Sequence, residues 1–231
     1  MFKKDVRAGR LFSVLGLAVM LAWMLGQPTK AKADLIVGVS GPDDSGASIT
    51  SGTAAAVGFH LDQPFQNVAV AADYVKFNVS GLVLLTNKIG PGTTLGNILA
   101  DTTLDASTPI SPTPIFSGLS LPADDYFLVF NQDASVVGQM FWNGSLSATA
   151  TISTHPMAST GPFYFFAPST EPLPAASDFS IVPGTALHFT VTGDLVSAVP
   201  EPSSLCLLLI GVAVTGGVPA VRRLRNSRQA A

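Results

Sequence analysis

Two long uncharged apolar runs stand near the two ends of the chain, each beside a cluster of bases, and neither can be absorbed into the core of a domain lying between them. Leu11–Leu25 is fifteen residues without a charge, preceded by Lys3, Lys4, Arg7 and Arg10. Pro202–Val221 is twenty such residues, followed by Arg222, Arg223, Arg225 and Arg228. With Lys30 and Lys32, these account for ten of the twelve bases. The middle, Asp34 to Val199, keeps only Lys76 and Lys88 against thirteen acids, a net of −11. A surface so acidic repels nucleic acid and anionic lipid and attracts cations or basic partners.

The first run has the order of an export signal: basic residues, then an apolar stretch too short to span comfortably, then Gly26, Gln27 and Pro28. Ala31-Lys32-Ala33 follows, with small side chains at both positions a signal peptidase reads, so cleavage is expected before Asp34. Residues 1–33 are therefore expected to be removed by signal peptidase after passage through a Sec-type export machinery.

The second run is long enough to cross a membrane. Its denser part, Leu205–Val221, would make a helix of about 25 Å. The arginines after it hold that end in the cytoplasm by the positive-inside rule, while the signal sends the middle outward. The transmembrane segment is placed at 203–221, with the basic cluster at 222–228. Cys206, the single cysteine, lies inside it and is expected to be an inert thiol, with acylation the alternative. Before the span stands Pro200-Glu201-Pro202. Two prolines fix φ on either side of Glu201, so a stiff extended segment presents one carboxylate at the outer membrane face.

Pro-Glu-Pro, one apolar span and a terminal arginine cluster, in that order, resemble the PEP-CTERM sorting signal of Gram-negative bacteria that make exopolysaccharide. The resemblance covers about the last thirty residues, 200–231, and speaks to sorting. It implies recognition of Pro200, Glu201 and Pro202 by exosortase, a membrane-embedded cysteine transpeptidase-like enzyme. It also implies retention in the inner membrane by Arg222, Arg223, Arg225 and Arg228 until cleavage releases or transfers the outer domain.

The outer domain, 34–199, has no cysteine, so core packing must hold it without disulfides. It is long enough for one core, since a domain of about 150 residues buries roughly 70% of its unfolded surface. Short apolar runs alternate with turn residues, which predicts an all-β fold, a single antiparallel β-sandwich of jelly-roll-like type. Leu187, Phe189 and Val191 fall on one strand face, with His188, Thr190 and Thr192 on the other. Leu146, Ala148, Ala150 and Ile152 alternate with Ser147, Thr149 and Thr151, predicting a half-buried strand with a hydroxyl-rich outer face. Gly81–Thr86, apolar on both faces, predicts a central strand running toward a Gly90-Pro91-Gly92 turn. Phe116–Phe130 predicts strand, turn and strand, the turn at Pro122–Asp125. This stretch, together with Asn67–Val70, resembles the β-sandwich outer domains common among proteins with such a tail. Thr108–Pro114 is a stiff proline-rich connector.

Catalytic motifs are missing from the sequence. There is no G-x-S-x-G elbow, Walker loop or G-x-G-x-x-G, and His60, His155 and His188 have no H-x-x-x-H or C-x-x-C companion. All three histidines are read as ordinary polar positions. Asp43-Asp44 and Asp124-Asp125 are weak candidates for Ca²⁺ oxygen ligands, although neither pair continues into an EF-type loop and solvated turns suit them better. No catalytic residue, cofactor or firm metal site is expected. The leading expectation is a non-enzymatic surface or matrix protein associated with exopolysaccharide or biofilm. The alternative is a carbohydrate- or Ca²⁺-binding module, for which Trp142 would have to lie exposed in a groove. A secreted hydrolase comes third.

Overall fold

The computed structural model describes residues 33–77, 80–104, 114–132, 138–161, 163–168 and 173–196. In chain order the first six strands are β1 (Asp34–Ser40), β2 (Ser45–Thr50), β3 (Thr53–Leu61), β4 (Phe65–Ala72), β5 (Tyr74–Phe77) and β6 (Gly81–Thr86). Then come β7 (Ile98–Leu104), β8 (Phe116–Leu121), β9 (Asp124–Gln132), β10 (Gln139–Leu146) and β11 (Thr151–Thr154). The last five are β12 (Ala158–Thr160), β13 (Tyr164–Pro168), β14 (Ser180–Val182), β15 (Thr185–Leu187) and β16 (Phe189–Leu195). The only helical turns among the described residues are two of 3-10 type, Leu95–Asn97 and Pro174–Ala176. No helix among them is long and apolar enough to cross a membrane, and both apolar terminal runs lie outside them.

The fold is all-β with antiparallel sheets, as the alternation predicts. One sheet has the order β11-β1-β16-β4-β8. A second has β15-β10-β2, with β5 also paired to β10. The largest runs β14-β13-β3-β9-β6-β7, with β12 beside β3. A single core joins all three. Ile36, Val70 and Val191 enter it from the first sheet, Ile49, Met140 and Trp142 from the second, and Val57, Leu85, Leu128 and Phe130 from the third. Aromatic rings bridge the layers: Phe130 lies 4.4 Å from Trp142 and 5.4 Å from Tyr74, and Phe59 lies 6.2 Å from Phe189, between ring centroids. The first two sheets therefore share a layer opposite the third, a sandwich-like arrangement. A smaller cluster covers the far face of the third sheet, where Ala175 of the second 3-10 turn packs with Ala54, Ala56, Leu84 and Val129.

Several local expectations hold. Gly81–Thr86 is β6, paired on both edges by β7 and β9, and Gly90 and Gly92 supply the positive φ of the turn beyond it. Leu187, Phe189 and Val191 are buried and Thr190 is exposed, but they do not share one strand: β15 ends at Leu187, β16 of another sheet begins at Phe189, and His188 between them is buried instead of lying on an outer face. Other expectations are corrected. Leu146 to Ile152 is not one strand, because β10 ends at Leu146 and residues 147–149 turn. The reason is local polar competition. Asp44 accepts hydrogen bonds from the Leu146 amide at 2.8 Å and the Thr149 hydroxyl at 3.3 Å, while the amides of Thr149 and Ala150 both turn back to the Leu146 carbonyl at 2.9 Å. Around Pro122 the turn is shorter than expected, since Asp124 and Asp125 already belong to β9, where they pair with Leu61 and His60 of β3. The strands on either side of it, β8 and β9, belong to different sheets.

Candidate functional site

Two strand pairs change sheets at one level of the molecule. β4 passes from the first sheet into β5 of the second at Asp73, and β15 passes from the second into β16 of the first at His188. β10 lies across this junction, pairing β5 through Trp142↔Tyr74 and β15 through Gly144↔Leu187. Asn143, between those pairs, ties the crossing together. Its amide donates to the Asp73 carbonyl at 2.9 Å, and its carbonyl accepts the His188 amide at 2.9 Å. The His188 carbonyl in turn accepts from the Asp73 amide at 3.1 Å and from Trp142 Nε1 at 2.8 Å. Asp73 and His188 are thus fixed side by side by backbone bonds. A third crossing, the loop from β1 to β2, brings Asp43 over them.

His188 is 6% exposed, so its ring must find partners within the protein. Nε2 lies 2.6 Å from Ser145 Oγ, and that hydroxyl lies 2.7 Å from the Pro42 carbonyl oxygen. A carbonyl can only accept, so the one hydroxyl proton goes to Pro42. Nε2 must then carry the proton of its own bond to Ser145, because the opposite assignment leaves two bare oxygens in contact. The arrangement turns Nδ1 toward Asp43 Oδ1, at 3.2 Å. One donor atom each from Asp43, Asp73 and His188 lies within 4.8 Å of the others. A cavity of about 290 Å³ opens over them, with Ser40, Gly41 and Thr190 also in its wall.

Serine, histidine and aspartate in this order have the connectivity of a nucleophilic triad. The chemistry does not follow. Ser145 is 0% exposed and its proton is committed to Pro42, so no substrate carbonyl reaches Oγ in this conformation.

The other sequence candidates separate. Asp44 holds the turn after β10. Asp124 Oδ1 accepts the Asp125 amide at 2.8 Å, and its Oδ2 accepts from Asn87 at 3.2 Å. Asp125 Oδ1 pairs with His60 Nδ1 at 2.8 Å, while His60 Nε2 faces Asp62 at 3.3 Å. The hydrogen bond to Asp125 raises the His60 pKa above its ordinary value, with desolvation opposing it. Tyr126 next door is pushed up to about 12 by burial, with the Asp124 charge adding, and its hydroxyl donates to the Pro122 carbonyl at 2.7 Å. His155 stacks edge-on against Phe65 at 5.5 Å and accepts the Met157 amide at 3.1 Å. Trp142 is fully buried, so it cannot line a sugar-binding groove. Asp34 opens β1 and Ala33 directly precedes it. Ala31, Pro200, Glu201, Pro202, Arg222, Arg223, Arg225 and Arg228 lie outside the described residues, as does most of the proline-rich connector.

In the sequence Asp43 stands out only as the neighbour of Asp44, and nothing marks Asp73. Intervals of 30 residues from Asp43 to Asp73 and 115 from Asp73 to His188 carry no motif. The one available signal was a histidine inside an apolar run, Ala186-Leu187-His188-Phe189, where burial demands a polar partner. No protein-family model matches the chain, and no curated protein matches it in sequence.

Proposed function

We propose that the chain is an exported surface or extracellular-matrix protein, delivered by a signal peptide and sorted by an exosortase-type enzyme. Its outer domain, a jelly-roll-like β-sandwich, acts without catalysis in association with exopolysaccharide or biofilm. The observation that carries the reading is the order Pro200-Glu201-Pro202, apolar span, Arg222–Arg228, behind an N-terminal signal. The described part is all-β with antiparallel sheets around one core, which is compatible with such a role. Among the described residues, the Ser145–His188–Asp43 array has its serine closed off, which supports the non-catalytic reading.

Glu201 is the only side chain between Asp194 and Arg222 that is charged at neutral pH. Glu201→Gln keeps size and backbone and removes the charge that a basic recognition pocket would pair with, a change worth about 2–5 kcal/mol if the pair is buried. The full-length variant should accumulate in the inner membrane while the wild type reaches the surface or medium, and deletion of the host's exosortase should give the same accumulation. A variant that fractionates like the wild type would remove the motif from the account.

A further inference from the structure

We propose that Asp43, Asp73 and His188 bind one divalent cation of the Zn²⁺ class, an activity separate from sorting. Three observations carry the assignment. The first is geometric. Two ligands each about 2.0–2.1 Å from a tetrahedral ion lie about 3.3 Å apart. His188 Nδ1 and Asp43 Oδ1 are 3.2 Å apart, and an Asp73 carboxylate oxygen lies within 4.8 Å of a ligand atom of each residue.

The second is the orientation of the histidine. Ser145 and the Pro42 carbonyl direct a ring proton to Nε2, which leaves Nδ1 as the nitrogen that faces the Asp43 carboxylate oxygen. Two acceptors in contact need a positive charge between them, either a proton or a metal ion. The Nε2–Ser145 bond also has the form of the hydrogen bond that holds metal-binding imidazoles in one tautomer. A proton on Nδ1 would satisfy Asp43 alone, whereas a divalent ion also neutralises Asp73.

The third is selectivity between the two histidine clusters. At His60 the carboxylates of Asp125 and Asp62 sit on opposite ring nitrogens, so they cannot converge on one ion. At His188 one ligand atom of the ring and one from each of the two carboxylates lie within 4.8 Å of one another, with Asp43 on Nδ1. One imidazole and two carboxylates suit Zn²⁺, or a similar first-row ion, rather than Ca²⁺, which takes 6–8 oxygens. The cavity of about 290 Å³ leaves room for water at the fourth position.

The test is equilibrium dialysis of the full-length chain in detergent, stripped with chelator, against ZnCl₂ and in parallel against CaCl₂, with thermal melts of the same samples. The expected result is one Zn²⁺ per chain and a Tm that rises with Zn²⁺ by mass action, with no comparable shift from Ca²⁺. Asp43→Asn and Asp73→Asn should each weaken Zn²⁺ binding at least tenfold, while His60→Gln should bind as the wild type does. Both aspartates are at least partly exposed, so these variants should fold even where a substitution at buried His188 does not. Absence of bound Zn²⁺, binding undiminished in Asp73→Asn, or loss of binding in His60→Gln would each overturn the proposal. Stabilisation by Ca²⁺ without Zn²⁺ would overturn its donor chemistry.

Discussion

At His60 both ring nitrogens end on carboxylates, Asp125 at 2.8 Å and Asp62 at 3.3 Å, on a side chain 43% exposed. The Asp125 hydrogen bond favours the imidazolium, so the folded pKa stands above the unfolded value of about 6.5. A raised pKa contributes stability that is fully present below about 6.5 and is lost as pH rises through the folded midpoint. Solvent screens so exposed a pair, so the contribution is small. The midpoint is the better observable. NMR titration of the His60 ring should give a midpoint above 6.5 that falls toward the ordinary value in Asp125→Asn. An unmoved midpoint in that variant would show that Asp125 is not its cause.

β10 is the element on which the junction depends, because it must pass close to two strands in succession. At Gly144 an added Cβ would lie 2.7 Å from the Ala186 carbonyl oxygen and 3.2 Å from Leu187 Cα, both backbone atoms of β15. Neither can rotate away. Gly144→Ala should therefore destabilise the fold by about 1–3 kcal/mol, read as a lower urea midpoint with unchanged m-value. A neutral effect would mean that β15 is not held against β10 as described. Elements whose signal is internal to their own residues were legible in the sequence. β6 was, because a run apolar on both faces has to be central, whereas at Leu187, Phe189 and Val191 the burial was legible and the change of sheet at His188 was not. The stretch from Leu146 to Ile152 was not, because its conformation is decided by the Asp44 side chain, about a hundred residues away along the chain. Period-two alternation cannot register such a competitor.

Across the whole molecule, the candidate site was illegible for the same reason on a larger scale. Asp43, Asp73 and His188 meet only because three chain segments change sheets at one level, and sheet crossings leave no spacing in the sequence. Address information is the opposite case, since peptidases and membranes read contiguous segments. The proposed signal, motif, span and arginines each occupy one contiguous stretch of the chain, and export and sorting are the centre of the proposal. The intact mass of the wild-type protein recovered from the envelope and medium of a producing strain tests that centre most directly. The account predicts a chain that begins at Asp34 and ends before Arg222. A protein beginning at Met1, or one ending at Ala231, would contradict it.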